Sequence, residues 1–148
     1  MMADGRSFAR APGQRGSVLG GCLCGAVRYR LTAEPKVSVN CHCSMCRRHS
    51  GAAFLTYAAV DRAAFQIERG ELAPYRSSAD AIRSHCASCG SPLTFVFDAE
   101  PETVWVTVGT LDNPDLAAPV ENWFVRDKAQ WTRLDTALKA WPGPPEPS

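Results

Sequence analysis

Seven cysteines fall into three groups: Cys22 and Cys24; Cys41, Cys43 and Cys46; Cys86 and Cys89. Three thiols within six residues, in Cys41-His42-Cys43-Ser44-Met45-Cys46, have little use in a packed core, where a buried cysteine acts as a small hydrophobe. A soft divalent metal does use them. A C-x-C-x-x-C turn aims three thiolate sulfurs at one point and leaves one tetrahedral position open, which separates a catalytic zinc from a structural one. Cys86-x-x-Cys89-Gly90 has the spacing of a zinc knuckle, and Cys22 with Cys24 supplies a second pair to close a four-sulfur site. Two pairs make one sealed zinc, and the contiguous three make an open one. Spacing alone leaves other pairings available, such as Cys41 and Cys43 with Cys86 and Cys89. It also leaves a second structural zinc completed by His42, His49, His85 or a partner.

The count is odd, four of the seven lie in C-x-C elements, and Met1–Gly16 lacks the apolar core of a secretory signal. These features argue against a disulfide framework and for metal binding in a reducing cytoplasm. A net charge of +1 gives no electrostatic case for nucleic acid, and no apolar run reaches membrane-spanning length. His42, between two sulfurs, is expected to point away from the metal as a hydrogen-bonding neighbour. Arg47 and Arg48 are candidates for substrate carboxylates, which arginine grips with two hydrogen bonds, and equally for solvated charge beside the thiolates. Trp105, Trp123, Trp131 and Trp141 are expected in the core.

The elements that position these groups are short strands. Residues 26–31 alternate apolar and polar, and Val37 to Asn40 forms a second strand running into the three-cysteine turn. Further strands are expected over 52–60, 63–69, 74–77, 93–97, 103–108 and 120–125, with 81–85 leading into the knuckle. Residues 131–141 read as a short helix or a packed tail. Glycine- and proline-bearing turns separate the strands, so the chain reads as mainly β. With 148 residues it suits one folded unit over 17–135, after a disordered segment 1–16 and before a proline-rich tail 136–148, extended or disordered.

The motifs Gly21-Cys22-x-Cys24-Gly25-x-Val27-Arg28-Tyr29, Cys41-His42-Cys43-x-x-Cys46-Arg47-x-x-x-Gly51 and Cys86-x-x-Cys89-Gly90, in this order, resemble the glutathione-dependent formaldehyde-activating enzyme family, which includes centromere protein V. The resemblance spans about residues 17 to 131. It implies a β-tent fold of short antiparallel strands with two zinc ions, structural on Cys22, Cys24, Cys86 and Cys89, catalytic on Cys41, Cys43 and Cys46. The implied activity is that of a carbon–sulfur lyase, joining glutathione and formaldehyde reversibly as S-hydroxymethylglutathione. One departure stands out: the segment Pro119–Phe124 is similar to a family stretch that often carries histidine where this chain has Asn122. Neither a glutathione pocket nor an oligomeric state is encoded in these patterns. The alternatives to a glutathione lyase are a zinc-stabilised binding module and an enzyme of the same fold with another thiol substrate.

Overall fold

The computed structural model describes residues 17–146. Its elements, in chain order, are β1 (Val18–Gly21), β2 (Arg28–Leu31), β3 (Val37–Cys41), α1 (Ser44–Ser50), β4 (Leu55–Asp61), β5 (Phe65–Arg69), β6 (Leu72–Ser78), β7 (Ala81–Cys86), β8 (Pro92–Phe97), β9 (Thr103–Thr107), β10 (Glu121–Trp123) and β11 (Lys139–Ala140). Single 3₁₀ turns occupy some of the connections. The expected mainly-β fold is the fold observed. A small sheet has the order β1-β2-β5, and an eight-stranded sheet the order β11-β10-β3-β4-β9-β8-β7-β6. Pairing is antiparallel except at one edge, where β10 runs parallel to β3 and β11 parallel to β10.

The run Thr103–Val108 is apolar almost throughout because β9 is central and covered on both faces. Successive side chains on a strand point to opposite sides. Val104 and Val106 join a core beneath the small sheet, with Tyr29, Leu31, Val60 and Leu93. Trp105, one residue out of phase, enters a second cluster with Val39, Cys41, Cys46, Tyr57 and Ala59. On β4 the split repeats: Ala58 and Val60 face the first core, Tyr57 and Ala59 the second. The three-cysteine group is therefore part of an apolar cluster on the far face of the large sheet.

Three local expectations change. The three-cysteine turn is the start of a helix, α1, seven residues long and ending at Gly51 in the left-handed region with φ 73°. The strand expected from residue 52 begins at Leu55, because residues 51–53 form the bend that follows that cap. Residues 131–141 form no helix. Residues 136–138 turn into the short strand β11, and the backbone of residues 141–143 is bonded to β10 and the turn after it. Trp141 donates its backbone N–H to Asn122 O at 2.8 Å, and Phe124 donates to Gly143 O at 3.1 Å. The disorder expected for residues 1–16 lies outside the described residues. No helix among the described residues is long and apolar enough to cross a membrane.

Candidate metal centres and the cavity beside one of them

Cys22 and Cys24 sit in the loop between β1 and β2, Cys86 ends β7, and Cys89 lies in the turn to β8. Their four sulfurs lie within 4.8 Å of one another. Cys22 Sγ is 3.6 Å from Cys24 Sγ, which is 3.8 Å from Cys86 Sγ. Four sulfurs about 2.3 Å from a common centre have tetrahedral edges of about 3.8 Å, so the spacing fits a tetrahedral soft ion. The backbone is arranged for anionic sulfur. Val27 N–H donates to Cys22 Sγ at 3.2 Å and Cys89 N–H to Cys86 Sγ at 3.5 Å. The Ser91 hydroxyl, itself accepting from Leu23 N–H, donates to Cys89 Sγ at 3.2 Å. Its donation, with that of its own N–H, brings the Cys89 thiol down to about 5. Gly90, at φ 79°, takes the turn a side chain would resist, and its N–H closes onto Cys86 O at 2.8 Å.

Cys41 ends β3, Cys43 caps the N-terminus of α1, and Cys46 lies in the first turn of that helix. These three sulfurs also lie within 4.8 Å of one another, and no histidine or carboxylate ligand atom joins them among the described residues. The thiols of Cys41 and Cys46 donate toward Cys43, and with the N–H groups of Cys46 and Met45 they bring it down to about 2. Cys41 moves well up, because its thiol serves Cys43 and Cys46 and is buried. A capping sulfur at a helix N-terminus is a natural thiolate. Three clustered sulfurs with one poised as an anion are a donor set that a soft cation fits.

The surroundings separate the two groups. His42 points away from the sulfurs, as its place between them required: Nε2 donates to Asn122 Oδ1 at 3.1 Å, and the ring packs on Phe54. Asn122 also accepts from Asn40 Nδ2 at 3.2 Å, so this asparagine ties His42 and Asn40 together through one oxygen. Neither Arg47 nor Arg48 lines the cavity beside the three sulfurs. That cavity measures about 430 Å³. Cys41, Cys43 and Cys46 form one end, and Tyr57, Phe95, Phe97, Trp105, Trp123 and Phe124 form much of the wall. Pro144 and Pro145 of the C-terminal segment contribute to the same wall. Trp105 is buried as expected and meets Trp123 edge-on at 5.4 Å. Trp141 is half-buried, its indole N–H on Glu121. Trp131 departs from expectation at 76% exposed, because it follows the last long strand in a turn that nothing covers.

Arg83, on β7, is the residue that sequence reasoning missed. It is only 4% exposed. Its NH1 donates to the Tyr57 hydroxyl at 2.8 Å, and NH1 and NH2 each lie 3.6 Å from Cys46 Sγ. The guanidinium sits 4.7 Å above the centre of the Phe95 ring. An arginine in a strand reads as solvated. The one available signal was its position three residues before a metal-type cysteine, on a strand that also carries Ala81, Ile82, Ser84 and His85.

The sequence profile described as glutathione-dependent formaldehyde-activating enzyme matches residues 17–127. A Halomonas elongata protein with that name, held provisionally, is 29% identical over 128 residues, covering 79% of this chain and 80% of its own length. An uncharacterized lyase of Schizosaccharomyces pombe is 33% identical over 79 residues; the match spans 53% of this chain and 56% of that protein, a little over half of each. A crystal structure of a Rhodobacter sphaeroides protein superimposes with a TM-score of 0.57 at 30% identity, covering 71% of this chain and 98% of that one.

Proposed function

The chain belongs to the glutathione-dependent formaldehyde-activating enzyme family, and from that premise we propose that it is a zinc-dependent carbon–sulfur lyase of thiol–aldehyde adducts. The reference reaction is the one the family name describes, cleavage or formation of S-hydroxymethylglutathione. The observation that carries the reading is the contrast between the two cysteine groups. One is closed by four sulfurs. The other offers three, without a fourth protein ligand atom among the described residues, at the end of a cavity large enough for a small molecule. The first suits a structural zinc, the second a catalytic one.

Zinc held by Cys41, Cys43 and Cys46 would supply Lewis acidity and an open coordination position for a thiol sulfur or a carbonyl oxygen. The chain supplies the rest. Arg83 holds Cys46 Sγ and sets a fixed positive charge beside the sulfurs. Because the Tyr57 oxygen accepts from Arg83, its own proton is free to be donated toward a substrate oxygen at the cavity wall. Burial pushes the Tyr57 hydroxyl up, so it stays protonated as a donor. The aromatic wall excludes water from the adduct. In the cleavage direction the carbon–sulfur bond breaks, the hydroxyl oxygen becomes the aldehyde oxygen, and the hydroxyl proton ends on the departing sulfur. No electrons are exchanged. Free thiolates and open zinc sites call for a reducing compartment, so the cytoplasm is the proposed location.

The test is purified protein assayed for metal and turnover together. Two zinc ions per chain with release of formaldehyde from S-hydroxymethylglutathione, or from another thiol adduct, is the expected result. Protein holding both ions and releasing aldehyde from no thiol adduct would leave the binding-module reading in its place.

A further inference from the structure

The cavity beside the three sulfurs is built for an apolar group. Phe95 and Phe97 point the same way from β8, two residues apart, with rings edge to face at 4.5 Å. Trp105 and Trp123 form a second aromatic pair across the cluster. Aromatic faces of this kind bind rings and other apolar groups through burial and offset or edge contacts.

Glutathione carries two carboxylates and an ammonium. A site for it needs cations that face the ligand and are free to pair, since carboxylates are gripped chiefly by arginine and lysine. Among the described side chains that line this cavity, Arg83 and Glu100 are the charged groups apart from the cysteine sulfurs. The Arg83 guanidinium is already engaged, by Tyr57, by Cys46 Sγ and by the Phe95 ring. Glu100 would repel a carboxylate. The two arginines on α1, Arg47 and Arg48, are not in the lining. A charged tripeptide placed here would bury carboxylates against rings with nothing to pair them.

We infer that the thiol handled at the three-cysteine site is uncharged and apolar, with an aromatic or comparable hydrocarbon group on the carbon next to sulfur. This inference rests on the lyase reading above and replaces its reference thiol. The substituent on sulfur lies within a bond or two of the reacting atoms, so it must occupy the volume directly beside the three sulfurs. That volume is the aromatic cavity. The aldehyde partner contributes a carbon and an oxygen and asks for little room. The reaction is unchanged: the carbon–sulfur bond of the adduct breaks, and the hydroxyl proton passes to the apolar thiol.

The experiment compares two formaldehyde adducts on the full-length, zinc-loaded protein, those of benzyl mercaptan and of glutathione. Aldehyde release is followed under subsaturating conditions. In parallel, the free thiols are titrated against the fluorescence of the tryptophans in the cavity wall. The expected result is a kcat/KM for the benzyl adduct at least about tenfold above that for the glutathione adduct, the discrimination a well-fitted apolar pocket provides. Benzyl mercaptan should also bind more tightly, by a similar factor. Phe97→Lys, at a half-exposed strand end where the fold tolerates a polar chain, should shrink this preference. Glutathione turned over equally well or better would overturn the inference and leave the lyase reading standing. If neither adduct is turned over, the lyase reading loses both its reference thiol and benzyl mercaptan and is kept only by turnover of another thiol adduct. The titrations then still decide: tighter binding of the apolar thiol upholds the cavity assignment, and equal or tighter binding of glutathione removes it.

Discussion

Replacing Arg83 by methionine should weaken the three-cysteine site while leaving the four-cysteine site intact. Methionine keeps the unbranched stem of the side chain but removes the guanidinium, and with it the charge, every donor and the contact over the Phe95 ring. Three thiolates around a divalent ion carry one surplus negative charge, and Arg83, buried with both terminal nitrogens 3.6 Å from Cys46 Sγ, is the cation that offsets it. Removing a partner that orients and neutralises a metal ligand typically costs about 10- to 100-fold in metal affinity. The Tyr57 hydroxyl loses its 2.8 Å donor as well. A hydrogen bond to a charged group is worth roughly 1.5–3 kcal/mol, and relief from burying a charge returns part of that. A net loss of about 1–2 kcal/mol implies a Tm lower by roughly 2–8 °C for a chain of this size. Arg83→Lys restores the charge without the two-pronged contact and should fall between methionine and wild type. Competition with a chromophoric chelator reads the two metal affinities separately, and thermal unfolding reads stability. A folded Arg83→Met protein with both metal affinities at wild-type values would refute the assignment of Arg83 to the site. Lysine and methionine variants equally impaired would refute the role of charge.

Cys86→Ser should prevent folding. The free energy of a structural zinc, about 10–16 kcal/mol in small zinc peptides, matches or exceeds the roughly 5–15 kcal/mol that holds a whole domain together. A soluble variant with unchanged Tm and zinc content would contradict this. Cys43→Ser should instead give a folded protein that has lost one zinc and its turnover, checked by metal analysis beside circular dichroism; retention of both ions would count against three-sulfur ligation. The Asp112 carboxyl is held below its usual value by the Arg28 guanidinium, so the pair adds stability that is present above pH about 4 and lost as pH falls further. Asp112→Asn should cost at most about 1 kcal/mol at neutral pH, given a half-exposed pair, and progressively less as falling pH protonates the carboxyl in the folded protein. An effect that persists in strong acid would show that Asp112 acts through something other than its charge.

What the sequence made legible was local. The chelating spacings of Cys41, Cys43 and Cys46, and of Cys86 and Cys89, are set within a few residues, so they survive without knowledge of the fold. Thr103–Val108 announced a central strand by being apolar on both faces. The pairing of Cys22 and Cys24 with Cys86 and Cys89 was one of several allowed by spacing, and sheet topology selected it. Helix α1 escaped because seven residues are two turns, and its sequence Ser-Met-Cys-Arg-Arg-His-Ser carries no apolar stripe. The parallel edge escaped because β10 and β11 are three and two residues long, too short for any period to register. Arg83 escaped for a deeper reason. Its burial is a consequence of where β7 lies relative to β3, β4 and α1, and nothing near it in sequence reports that.

Strand β7 joins the two cysteine groups mechanically. Cys86 at its end belongs to the four-sulfur group, while Arg83 in its middle braces Cys46 of the other. The four sulfurs come from a loop of the small sheet and a turn of the large one, so that group ties the two sheets together. The three sulfurs come from one continuous stretch, residues 41–46, and need no tertiary closure to meet. They need tertiary structure for their environment: Arg83 from β7, Tyr57 from β4, Asn122 from β10 through His42, and the aromatic wall from β8 and β9. The dependence therefore runs one way. Disturbing the four-sulfur group releases the end of β7 and with it the brace on Cys46. Emptying the three-sulfur group leaves the sheet-to-sheet tie in place. On the lyase reading, a site that would exchange ligands during turnover is held by a scaffold whose own closure does not depend on what the site contains.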